Sequence, residues 1–301
     1  MSRFSIIIPH KNSSSLLERL IRTLPSVDAE VIVVDDNSTQ EDLCKVELMS
    51  EQYGFSLYKN EGKFAGGARN TGLKYAKGMW LLFADSDDYF TDNATQLLYK
   101  HVNSESDIIF FNVISKFSDT GKEAYRAEHI KSIINRSKNE GNMNALRCCY
   151  TVPWGKMIKR KLVKENNIFF DEVIAGNDMM FSVLCGLSAN NVSCDVGELY
   201  CVTVTYGSIT TSLSKERFDS RFNVTLAVNN LLRKEGYGKY QISVLYFIAK
   251  SYQFGFLYLL KVVGSCIKNR SNIFIGMSKI LKYKKVLKDR QNIKNEEKYH
   301  K

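Results

Sequence analysis

Seven cysteines are scattered along the chain, and no two of them form a Cys-x-x-Cys pair. An odd number without that spacing argues against a disulfide framework or a zinc site. Reduced thiols in a cytosolic protein are the simple reading. Long uncharged runs are also missing. The most apolar segment, 242–267, is interrupted by Lys250, Gln253 and Lys261. A spanning helix needs ~20 mostly uncharged residues, and a central cation costs about 2.5–3.5 kcal/mol even on the mild insertion scale. One or two amphipathic helices are expected there, packed on the domain or lying in a membrane interface. The apolar start, Phe4–Pro9, is too short for a secretory signal and reads as a first strand. No Gly-x-Gly-x-x-Gly follows that strand, against a dinucleotide-binding domain, and no Gly-rich loop ends in Lys-Ser or Lys-Thr. There is no internal repeat and no low-complexity segment.

What is present is ordinary in bulk and uneven in detail. Hydrophobic residues make up 44% and charged residues 25% of 301, enough for one large domain or two modest ones. The net charge is +10, but residues 268–301 hold eleven Lys or Arg against three acids, a local excess of eight. Such an end suits an anionic surface, lipid or nucleic acid, unless it is merely solvated. Nucleic acid is disfavoured, because Tyr283 and Tyr299 are the only aromatics after Phe274.

The first hundred residues alternate strand and helix signals. Strands are expected at 4–8, 30–34, 55–58, 80–83 and 107–113, and helices at 14–24, 41–52, 66–76 and 91–102. This order predicts a mostly parallel sheet flanked by helices on both faces. Residues 115–142 read as polar and loop-rich, 199–205 as a strand, and the chain from 218 onward as helical.

Ligands of open α/β sheets gather at the carboxyl ends of the strands, and four such ends carry chemistry. The first is Pro9-His10-Lys11-Asn12. The second is Asp35-Asp36-Asn37-Ser38, whose acids can accept hydrogen bonds from ribose or from a base N–H. The third is Gly66-Gly67-Ala68-Arg69-Asn70, where glycines open a helix to an anion and Arg69 adds a fork of donors. The fourth is Asp85-Ser86-Asp87-Asp88 after the apolar run 79–83. Three carboxylates in four residues repel one another unless a cation sits among them. A hard divalent ion bridging to a diphosphate would remove that cost. The competing reading is a solvated turn in which Asp87 or Asp88 caps the next helix.

Ser5–Pro9, Val31–Ser38, Gly67–Leu73 and Phe83–Asp88, in this order and at these spacings, resemble the family 2 glycosyltransferases. The resemblance covers residues 4–113 well. It continues more loosely through Val152–Arg160, Phe170–Phe181 and Tyr206–Thr210, with Asn177 in place of the usual Glu and His10 where an aromatic is common. It implies a GT-A (Rossmann-like) α/β fold. Residues 1–114 would be the nucleotide-sugar-binding half and 115–217 the acceptor and catalytic half of the same domain. Residues 218–301 would form a helical, basic region. The implied reaction is inverting transfer from a nucleotide-diphospho-sugar, with UDP as the expected nucleotide. Asp87 and Asp88 would hold Mn²⁺ or Mg²⁺. Pro9, His10, Asp35, Asp36, Arg69 and Asp85 would bind the donor nucleotide. Asp178 would be the base, unless it only caps the helix that follows. Trp154, unless it is a core residue, would meet an acceptor sugar together with Ser208. The leading role is surface polysaccharide synthesis (O-antigen or capsule) on a lipid-linked glycan at the inner membrane face. A soluble or protein acceptor is the alternative.

Overall fold

The structure, a computed structural model, describes residues 2–204 and 214–276. In chain order the elements are β1 (Phe4–His10), α1 (Ser14–Arg22), β2 (Ala29–Asp35), α2 (Gln40–Tyr53), β3 (Ser56–Lys59), α3 (Phe64–Tyr75), β4 (Trp80–Phe83), β5 (Tyr89–Phe90), α4 (Ala94–His101), β6 (Ile108–Phe117), α5 (Glu128–Glu140), α6 (Asn144–Cys149), β7 (Lys156–Lys159), α7 (Arg160–Glu165), α8 (Met179–Ser188), β8 (Val192–Val204), α9 (Lys215–Lys234), α10 (Leu245–Ser251) and α11 (Phe256–Lys268).

β1 and β4 are buried along their whole length, which is why they read as unbroken apolar runs. α1 turns Leu17, Leu20 and Ile21 inward at helical spacing. The sheet order is β3-β2-β1-β4-β7-β6-β8-β5. The first four strands are parallel. β7 then runs antiparallel between β4 and β6, β6 and β8 are parallel, and β5 closes the edge against β8 in antiparallel fashion. The sheet is therefore mixed. Register sets His10 beside Asp35 and Asp35 beside Lys59, with Ile7 beside Phe83. The ends of β1, β2 and β4 thus share one edge.

Residues 115–142 depart from the loop-rich expectation. β6 continues to Phe117, and α5 buries Ile130, Ile133 and Ile134 one turn apart. Their periodicity is diluted by the Lys, Arg, Asn and Glu of the solvated face.

The chain forms two compact units, one ending at Val224 and one beginning at Thr225. Within the second, α11 buries Val262 and Cys266 but leaves Phe256, Leu257, Leu260 and Ile267 exposed. Among the described residues no helix is long and apolar enough to cross a membrane. Ser208, the rest of residues 206–210 and most of the basic end lie outside the described residues.

Candidate active site

After β4 the backbone turns through Ala84–Asp88, and Asp85, Asp87 and Asp88 each offer a carboxylate oxygen within 4.8 Å of the others. The turn is fastened from beneath. The Asp85 N–H donates to Tyr200 Oη (2.8 Å), and the Asp88 N–H donates to the Asp85 carbonyl (3.0 Å). Asp88 Oδ1 accepts the Thr203 N–H at 2.7 Å. The Asp87 carbonyl accepts from Thr203 Oγ1 (2.6 Å) and from the Arg19 guanidinium. Helix α4 begins after Asn93, so neither Asp87 nor Asp88 caps it.

Asp88 is only 2% exposed. Burial, then the charges of Asp87 and Asp85, push its carboxyl well above the usual carboxylate range. Asp87 is exposed to solvent, yet desolvation by the surrounding turn and the Asp85 charge raise it too. Three oxygen donors under mutual repulsion, one of them facing outward, fit a hard divalent cation.

Arg69 ties this cluster to a distant stretch of chain. The residue is 5% exposed, and its guanidinium donates to Asp85 Oδ1 at 2.5 Å and to Asn177 Oδ1 at 2.9 Å and lies over the Phe170 ring. Gly66 makes the approach possible: any side chain there would collide with the Asp171 carbonyl oxygen. At this position the glycine allows a close chain-to-chain contact.

The same contact sets Asp178 at the start of α8. It occupies the capping position, but its side chain makes no capping hydrogen bond. Burial raises its pKa, Arg69 opposes that shift, and Asp85 and Lys156 also act on it. A carboxylate raised by burial is a better proton acceptor near neutral pH.

At the end of β2, Asp35 Oδ2 accepts the Ser38 N–H (3.1 Å), while its buried Oδ1 has no partner. Asp36 is engaged by Asn60 Nδ2 (2.6 Å) and Lys11 Nζ (3.7 Å). Asp35 is therefore the freer of the two acids. His10 is buried, with Nε2 2.6 Å from Asp42 Oδ2, so its ring is tied to α2. Pro9 lies within buried β1.

Trp154 does not present an open face for a sugar. It is 3% exposed and stacks on Tyr200 at 5.9 Å, with Tyr150 against its edge. The ring supports the tyrosine that holds Asp85. Neither Tyr200 nor Lys156 stands out in the sequence as a site residue. Lys156 is 2% exposed, donates to the Tyr150 carbonyl (2.7 Å) and faces the Tyr150 and Phe110 rings. Burial lowers its pKa to about 7, against the charge of Asp178. A single lysine between Gly155 and Met157-Ile158 was the available signal.

A mixed sheet with acids at the ends of β2 and β4, and an arginine that joins the β4 acids to Asn177 beside Asp178, is an arrangement of the GT-A type. Residues 5–166 match the model of Glycosyl transferase family 2, more than half of the chain, and the chain belongs to that family. It is 27% identical over 201 residues to poly(ribitol-phosphate) beta-N-acetylglucosaminyltransferase TarS of Staphylococcus aureus (strain Mu50 / ATCC 700699). That match covers 64% of this chain and 34% of the relative, so the chain spans about a third of that protein. Among solved structures, S. aureus TarS 1–349 in complex with UDP-GlcNAc shares the fold, with a TM-score of 0.60 at 23% identity over 75% of this chain and 65% of that one. Mannosyltransferase PcManGT from Pyrobaculum calidifontis, in complex with GDP-Man and Mn²⁺, has a TM-score of 0.56 at 13% identity over 95% and 80%.

Proposed function

We propose that this chain transfers a sugar, with inversion, from a UDP-sugar to a hydroxyl of a surface polymer. The supporting observation is that Arg69 holds the β4 acid cluster on one side and the 177–178 segment on the other. Asp35, with its unpartnered buried oxygen, reads the nucleoside together with Asp36. Asp85 and Arg69 orient the donor. Asp87 and Asp88 would hold Mn²⁺ or Mg²⁺, which when bound offsets charge on the leaving diphosphate. Asp178 takes the proton from the acceptor hydroxyl as its oxygen bonds to the anomeric carbon and the sugar–phosphate bond breaks. The name of the relative, a poly(ribitol-phosphate) transferase, favours an acceptor built of phosphodiester-linked units. The exposed apolar residues of α11, beside Lys261 and Lys268, would rest on an anionic membrane.

The test is nucleotide release from a panel of UDP-, GDP- and dTDP-sugars with Mn²⁺, repeated with Asp178→Asn. Turnover should fall by about 10²–10⁴ while UDP affinity is kept. A variant that turns over like wild type removes Asp178 from the base role.

A further inference from the structure

A second feature lies at the opposite end of the sheet. A groove of about 950 Å³ opens beside the N-terminal ends of β1 and β4. Six cations line it: Arg3, Lys77, Lys159, Arg160, Lys161 and Lys164. Glu165 is its only acid, and it stands 3.8 Å from Lys161. The floor is fixed, since Arg160 Nε donates to the Gly78 carbonyl (2.9 Å) and Lys159 Nζ to the Glu105 carbonyl (2.7 Å). The side chains of Arg3, Lys77 and Lys164 are exposed and have no acidic partner among the described residues. The +10 net charge of the chain is concentrated in residues 268–301. Lys159 is balanced by Asp107 at 3.9 Å and Lys161 by Glu165, so in the near-neutral remainder Arg3, Lys77, Arg160 and Lys164 form a local excess around one groove.

The groove cannot be part of the donor site. β1 separates the two, and its seven residues span roughly 23 Å at about 3.3 Å each. A single phosphate would engage one or two of these cations. Six of them along a concave surface match a chain with repeated negative charges, and aliphatic Lys and Arg stems beside Met79 suit the carbon backbone between phosphates.

We propose that this groove is a second binding site for a phosphodiester-linked polymer, holding the acceptor chain at a distance from the β4 acid cluster. It rests on the reading of the acceptor given above. A chain long enough to run from one end of β1 to the other occupies both places. A short acceptor reaches only the acid cluster.

The test compares the full chain with an Arg3→Ala, Lys77→Ala, Lys164→Ala variant, using a synthetic ribitol-phosphate dodecamer as probe. Binding of the dodecamer should weaken about tenfold at low salt, and the slope of log K against log salt should shrink by about 2, at ~0.7 per lost phosphate contact. The Arg3→Lys, Lys77→Arg, Lys164→Arg variant should retain binding. In transfer assays the KM for the dodecamer should rise, while that for a trimer and kcat stay unchanged. Equal dodecamer affinity in wild type and the Ala variant overturns the proposal. So does a dodecamer that fails to bind while phosphatidylglycerol vesicles bind wild type and not the Ala variant, which would make the groove a lipid face. Equilibrium binding is read without turnover, so failure of sugar transfer with every donor counts against the catalytic reading alone.

Discussion

Asp88→Asn should stabilise the metal-free protein and weaken the metal-bound one. Two unit charges at the 4.8 Å outer limit of the cluster repel by about 3.5 kcal/mol at an effective dielectric near 20, and by about 0.9 kcal/mol in bulk water. Removing the Asp88 charge eliminates two of the three repulsive pairs. Exposure of Asp87 brings its pair toward the lower figure. Asparagine keeps an oxygen for the Thr203 N–H, and its new amide has the Asp85 and Asp87 carboxylates as acceptors. The expected gain is about 2 kcal/mol at pH 8 in EDTA, by urea denaturation. The sign with pH follows from the raised Asp88 pKa. Below that value wild-type Asp88 carries a proton, so the gap closes as pH falls from the raised value toward about 4, where an unfolded Asp titrates. Mn²⁺ at a hundredfold excess over its Kd should then stabilise wild type by about 2.7 kcal/mol and the variant far less, reversing their order. A variant no more stable than wild type at pH 8 in EDTA, or an equal Mn²⁺ response in both, refutes the reasoning.

Gly155→Ala should cost about 3 kcal/mol. Its φ of +68° penalises any side chain by roughly 1–2 kcal/mol, and a methyl there collides with Tyr150 Oη; an unchanged thermal midpoint would show the loop to be adaptable. Leu257→Glu with Leu260→Glu should reduce flotation with phosphatidylglycerol vesicles, because both residues are exposed on α11; unaltered flotation removes α11 from the membrane proposal.

Much of the first hundred residues was legible because buried parallel strands leave apolar runs, and the acids that end them stand out against Val, Ile, Leu and Phe. β1, β2, β4 and the triad are of this kind. β7 carried no such contrast. Two of its four residues are lysines, and one of them, Lys156, is buried only because a carbonyl and two aromatic faces receive its ammonium. Trp154 and Tyr200 could not be sorted from composition, since a stacked pair beneath a turn and an open sugar platform use the same residue types. Asp178 was visible only through the family resemblance. Locally, an Asp before a helix reads as a cap, and it took the contact at Gly66 to show which acids and cations surround it.

That contact also gives a physical reading of Asn177. A glutamate in its place, the usual family residue, would set Arg69 between two carboxylates, one from the β4 cluster and one beside Asp178. With asparagine, the amide oxygen still accepts the guanidinium at 2.9 Å, so the geometric link survives. The cation then hydrogen-bonds a single carboxylate, Asp85, while its charge still acts on Asp178. Asp178 has one fewer negative neighbour, which leaves burial as the main force raising its pKa and spares it the like-charge repulsion that already acts within the triad. The substitution therefore preserves the bridge between the two halves of the site while reducing the electrostatic cost of keeping a carboxylate ionised next to it.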